Sequence, residues 1–214
     1  MTTQRMGPNA IAGVILAGGR STRFGSDKAS ALLAGRPMLV WVASALTEAC
    51  DEIVIVRAAG QTLPALDGIA ATVVDDFAQA EGPLIGAIAG LRSATAARCF
   101  LTSCDAPLLR PALVRRLAES LGETAAEAAC PLLEGIPQPL VAAYDREAAL
   151  AHCEAAYAAG ERSLRQALAR MTVRWVERAE LLAPDPKLAS FRNANTPAGL
   201  ASLERDLAAA ERPS

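Results

Sequence analysis

Apolar and polar positions fall along this chain in blocks of two kinds. Short, mostly apolar runs without strict alternation at 11–17, 53–56, 71–74, 99–103 and 126–131 predict strands covered on both faces of a sheet. Between them, stretches with helical spacing at 38–49, 83–94 and 112–121 predict helices. That β-α-β rhythm predicts an α/β fold, a three-layer α/β/α sandwich around a mostly parallel sheet, with ligands collecting along the sheet's carboxyl edge. Runs at 140–144 and 173–176 add strands, one of them antiparallel, and 146–159, 163–170 and 198–210 read as later helices. Thr196 and Pro197 suit the N-cap and first position of the last helix. The expected organisation is one domain over 11–212 after a flexible segment 1–10. The stretches 60–68 and 184–189 read as loops within it.

The chemistry concentrates where the first strand ends. Residues 14–29 read VILAGGRSTRFGSDKA, a strand followed by a glycine-rich loop and a predicted returning helix. Gly18, Gly19 and Gly25 leave no Cβ and tolerate positive φ, so backbone N–H groups can approach an anion closely. Arg20, Arg23 and Lys28 against Asp27 alone leave this stretch at +2 in a chain of formal net charge -2. A local positive charge of that kind suits a polyphosphate. Two better-known glycine motifs do not fit. A P-loop ends in Gly-Lys-Ser/Thr, whereas Lys28 stands three residues after Gly25, and the dinucleotide fingerprint G-x-G-x-x-G is broken at Gly18-Gly19-Arg20.

Composition removes other classes. With 214 residues and 52% hydrophobic positions the chain can bury a full core, and 4% aromatic residues supply no stacking platform for nucleic acid. Residues 1–9 are polar and no apolar run approaches the ~20 residues of a membrane span, which predicts a soluble, cytoplasmic protein without membrane association. Cys50, Cys99, Cys104, Cys130 and Cys153 form no C-x-x-C pair and suit reduced core thiols. His152 is the single histidine, which excludes a multi-histidine metal site within this chain and argues against a histidine triad, and the residue reads as helix surface.

The segment LAGGRSTRFGSDKA resembles the opening motif L-A-G-G-x-S-x-R-[MF]-G-x-D-K of the molybdenum cofactor guanylyltransferases, which join GMP from GTP to the phosphate of molybdopterin. Four further stretches follow in that family's order: TVVDDFAQAEGPL at 72–84, CFLTSCDAPLL at 99–109, Gln138-Pro139-Leu140 with GERSL at 160–164, and FRNANTP at 191–197. The resemblance implies a Rossmann-like nucleotidyltransferase fold, GTP and molybdopterin as substrates, Mg²⁺ as cofactor, and molybdoenzymes or their chaperones as partners of a monomer. It further implies that Leu16, Ala17, Gly18, Gly19 and Gly82 cradle the nucleotide and that Asp76 contacts GTP near the base or ribose. Asp75 is adjacent to Asp76, and the choice between them stays open. One position departs from the family: an Asn common near the end of the second strand is absent, and Arg57 follows the run 53–56.

Nucleotidyl transfer asks for the same residue types on chemical grounds. It is an in-line displacement at phosphorus, governed by positioning and charge neutralisation. Lys28 and Arg23 suit the developing negative charge. Asp105 directly follows an apolar strand and suits Mg²⁺, which takes one or two carboxylates with phosphate oxygens and water; a turn former before Pro107 is the other reading. Asn193 and Asn195 share one side of an extended segment and suit the pterin phosphate or the metal, and Arg162 suits a bidentate phosphate clasp. A CTP-dependent or sugar-phosphate nucleotidyltransferase, or a non-catalytic nucleotide-binding protein, are the alternatives left open by sequence.

Overall fold

The computed structural model of the chain describes residues 7, 9–18, 27–77 and 82–210. In order, it contains β1 (Ile11–Leu16), β2 (Leu32–Leu33), β3 (Arg36–Pro37), α1 (Met38–Thr47), β4 (Glu52–Arg57), β5 (Thr72–Asp75) and α2 (Pro83–Ser93). There follow β6 (Arg98–Ser103), α3 (Pro111–Gly122), β7 (Ala128–Leu133), β8 (Ile136–Pro137), β9 (Val141–Asp145) and α4 (Arg146–Ala158). The chain closes with α5 (Leu164–Leu168), β10 (Val173–Glu177), α6 (Arg178–Leu181) and α7 (Pro197–Ala210). Apart from residues 7, 9 and 10, the segment 1–10 lies outside the described residues, as do Gly19, Arg20, Arg23 and Gly25.

The main sheet runs β10-β7-β9-β6-β1-β4-β5, with β8 added to β7. β1, β4, β5 and β6 are mutually parallel, so their carboxyl ends meet on one edge. β9 is the antiparallel intruder between β6 and β7, which brings the 136–141 segment to that same edge. Both faces of the central strands are covered, which is why their sequences are almost unbroken apolar runs. Ala12, Val14 and Leu16 of β1 pack with α2, α4 and α5, while Ile15 points to the opposite core beneath α1 and α3. Gly90 lets α2 lie directly on β1: a Cβ there would sit 2.3 Å from Val14 Cγ1. Among the described residues no helix is long and apolar enough to cross a membrane.

The returning helix expected after the glycine loop is replaced. Lys28–Ser30 forms a single 3-10 turn, and the β2–β3 hairpin with Ala34 and Gly35 at positive φ intervenes before α1. Apolar Leu32 and Leu33 gave no turn signal in the sequence. Leu33 joins Met38, Ala194 and Leu203 in a small third core that ties this hairpin to α7.

Candidate active site

Four strand ends build the site. β1 ends in Leu16 and Ala17, both buried, and Ala17 and Gly18 donate backbone N–H groups to Val56 O at 2.8 and 3.2 Å. A Cβ on Gly18 would stand 2.7 Å from Ala58 N, so only glycine lets the two loops seat against each other. From β6, Cys104 N donates to Leu16 O at 3.1 Å, placing Asp105 beside the same loop.

Lys28 is the meeting point. Asp27 caps the 3-10 turn by accepting from Ala29 N, and the turn aims Lys28 across the edge. Its Nζ donates to Asp105 Oδ2 at 3.1 Å and to Asn195 Oδ1 at 2.7 Å. Ser103 Oγ donates to the other Asp105 oxygen at 2.5 Å, and Ala194 N donates to Asp105 O at 2.9 Å. A cation and two oxygen donors from three remote parts of the sequence therefore converge on one point. The pair is partly buried, with side-chain exposures of 22% for Lys28 and 14% for Asp105, so its charges are less screened than a surface pair's.

The next strands, β4 and β5, supply an adjoining wall. Asp75 is paired with Arg57, its register partner across β4 and β5, at 2.7 Å. Asp76 is not so engaged: its Oδ1 is buried without a hydrogen-bond partner among the described residues. Burial pushes the Asp76 carboxyl above its ordinary range, with an opposing hydrogen bond from Ala59 backbone and a further upward push from Asp75. The two adjacent acids thus differ, Asp75 bonded through Oδ1 to Arg57 and Asp76 holding a buried oxygen without a partner among the described residues. Gly82, at φ +93, caps α2, and a Cβ on it would meet Arg162 O at 2.8 Å.

A cavity of about 240 Å³ opens beside Ser103 on the other flank, walled by Pro137, Gln138, Pro139, Ser163, Arg165, Phe191 and Asn193. The two asparagines thus divide, Asn195 bonding Lys28 and Asn193 lining the cavity. Arg162 has its guanidinium 4.5 Å over the Tyr157 ring and donates to Glu161 O, and Arg165 is the cation that lines the cavity. Sequence reasoning missed Ser103, Arg165 and Gln61. The available signal was positional, since each stands within a few residues of a strand end or loop at the carboxyl edge. Among the described residues no three His, Cys, Asp or Glu side chains gather as a metal cluster. All five cysteines are free, and burial holds the Cys104 thiol, beside Asp105, up at about 12.

Comparison with known proteins bears on the family and the fold. Residues 13–175 match the family model of the MobA-like NTP transferase domain. A molybdenum cofactor guanylyltransferase of Desulfosudis oleivorans is 33% identical over 92% of this chain and 95% of its own. One from Pseudomonas putida is 37% identical over 84% and 92%. Among solved structures, the molybdopterin-guanine dinucleotide biosynthesis protein A of Archaeoglobus fulgidus superposes with a TM-score of 0.79 at 26% identity, covering 92% of this chain and 99% of that one. The 2-C-methyl-D-erythritol 4-phosphate cytidylyltransferase of Thermus thermophilus, at 18% identity and a TM-score of 0.69, shares the fold. The family model covers most of the chain and these relatives match it over nearly their whole length, so the chain belongs to the MobA-like NTP transferase family.

Proposed function

We propose that this chain transfers GMP from GTP to the terminal phosphate of molybdopterin, releasing pyrophosphate. The observation that carries the reading is Lys28 Nζ held between Asp105 Oδ2 and Asn195 Oδ1 at the carboxyl edge. The relatives named for this activity match over nearly the whole chain, which supports the choice of base and acceptor.

In this reading Leu16, Ala17, Gly18 and Gly19 cradle the nucleotide, and Asp76, whose Oδ1 has no partner among the described residues, stands on the nucleoside side. Lys28 exchanges its carboxylate and amide partners for phosphate oxygens and offsets charge that builds in the transition state. The second substrate's phosphate enters from the flank of Ser103, where Asn193, Ser163 and Arg165 line the cavity. Its oxygen bonds to the α-phosphorus of GTP as the bond to the β-phosphate oxygen breaks, and pyrophosphate leaves in line. Arg23 adds a further cation from the glycine loop.

The donor set fits Mg²⁺. Asp105 and Asn195 direct two hard oxygens at a place already taken by positive charge, and a one-carboxylate site completed by phosphate oxygens and water is ordinary for this ion. Asp105 would hold it with Asn195, and when bound it would supply charge neutralisation at the phosphates. Calorimetric titration with GTP, CTP, ATP and UTP, each with Mg²⁺ and with chelator, tests the reading. Selective, metal-enhanced GTP binding is the expected result; a preference for CTP would reassign the base.

A further inference from the structure

Asp27 must hold its turn still if Lys28 is to aim correctly, and among the described residues one side chain, that of Gln61, bonds its carboxylate. Gln61 Nε2 donates to Asp27 Oδ1 at 2.9 Å, to Oδ2 at 3.0 Å and to Ala17 O at 3.1 Å, while its Oε1 accepts from Ala58 N at 2.9 Å. The amide has one workable orientation: turned over, its oxygen would face the carboxylate and its N–H groups would face Ala58 N–H. Gln61 is fixed in its turn by Arg57, which donates to Gln61 O at 3.1 Å and to Asp75 at 2.7 Å. A continuous polar path thus joins the nucleoside-side strands β4 and β5 to the turn that carries Lys28.

We infer that Gln61 is a positioning residue, clamping Asp27 so that Lys28 is aimed at the phosphates and tying that aim to the Arg57–Asp75 wall. The inference rests on the proposed nucleotidyl transfer. It also accounts for Arg57 at the end of β4: instead of meeting the ligand as an amide would, it braces the glutamine.

The test replaces Gln61 with Ala and with Glu, and measures pyrophosphate release with saturating GTP alongside thermal unfolding. Gln61→Ala is expected to lower kcat about tenfold or more with a smaller change in KM for GTP, since misplacement of about 1 Å can cost two orders of magnitude. Gln61→Glu sets a second carboxylate against Asp27, and close like charges force one of the pair to keep a proton to higher pH. Its activity relative to wild type is therefore expected to be low at about pH 8 and to recover about tenfold towards pH 6, when a shared proton restores the clamp. Among the described residues, the nearby charged groups, Lys28 next to Asp27 and bonded to Asp105, and Arg57 bonded to Gln61 O and Asp75, are common to both proteins, and the Cys104 thiol at about 12 stays neutral throughout. The double variant Asp27→Asn, Gln61→Glu reverses the donor and should remove that pH dependence. Variants that keep kcat within twofold of wild type, or that lose it in step with thermal stability and without the pH signature, would overturn the inference. A wild-type chain that consumes no nucleoside triphosphate would overturn the underlying reading instead.

Discussion

Lys28 is held by a carboxylate and an amide oxygen, both of which phosphate oxygens can replace without moving the backbone. Removing either end of the pair has a different consequence. Lys28→Ala leaves Asp105 still bonded by Ser103 and should preserve the fold, while turnover falls about 100-fold or more through lost charge stabilisation. Asp105→Ala should cost at least as much turnover and also weaken the metal dependence of GTP binding. Steady-state pyrophosphate release with a matched unfolding curve separates these outcomes, and near-normal turnover in both would sink the assignment. At this scale the sequence was informative where a motif carried the residue. Lys28, Asp105 and Gly82 stand in short spaced patterns that constrain backbone and charge together. Gln61 and Arg165 stand in no such pattern, because their roles come from a loop and a short helix folding back onto the edge.

Elements were legible wherever apolar periodicity ran long enough to be read. The strands and the larger helices fall within two or three residues of their expected bounds, and the antiparallel β9 was foreseen as one of two late strands. The β2–β3 hairpin was not legible, since two-residue strands have no period and Ala34, an L-residue at φ +49, carries no turn signature. The packing of α2 on β1 makes a sharper prediction. Gly90→Ala drives a methyl into Val14, a buried β-branched side chain with no room to turn, and overpacking of this kind costs about 1–3 kcal/mol. The ~1 kcal/mol gained from replacing glycine in a helix interior offsets only part of that. Gly86→Ala, facing flexible Leu16 Cδ2 at 3.2 Å, should be close to neutral. Thermal unfolding of the two variants should differ by several degrees, at about 2–4 °C per kcal/mol for a domain of this size.

At the scale of the whole molecule, the far side of the sheet, β7, β9 and β10, is held by polar contacts as well as by its apolar strands. Glu127, just before β7, accepts from Thr172 N at 2.7 Å ahead of β10 and pairs with His152 of α4 at 3.3 Å. The Thr172 N–H, and secondarily His152, hold its carboxyl below the ordinary glutamate range. A carboxyl with a depressed folded-state value stabilises the fold above its unfolded value and ceases to do so as pH falls through the folded one. Wild type should thus lose about 1 kcal/mol more stability than Glu127→Gln between about pH 7 and pH 3, the modest size reflecting its solvent exposure. Urea unfolding at several pH values measures the difference; parallel curves would refute it. Fold class and the strands of this far edge were readable from apolar runs alternating with helices, whereas the polar contacts that tie the edge together were not, because hydrogen bonds between remote residues leave no local trace.

The hydrogen bond from Ala194 N to Asp105 O, and the neighbouring one from Lys28 to Asn195, bear on how the protein is made. Synthesis proceeds from the amino end, so the glycine loop, Lys28 and Asp105 all emerge long before the segment that closes on them. A partly made chain carries the residues proposed to hold the triphosphate but lacks the late amides and the α7 contact with the β2–β3 hairpin that close around Lys28 and Asp105. Competence therefore arrives as a late event of translation, and a chain cut short before Asn193 is left without it.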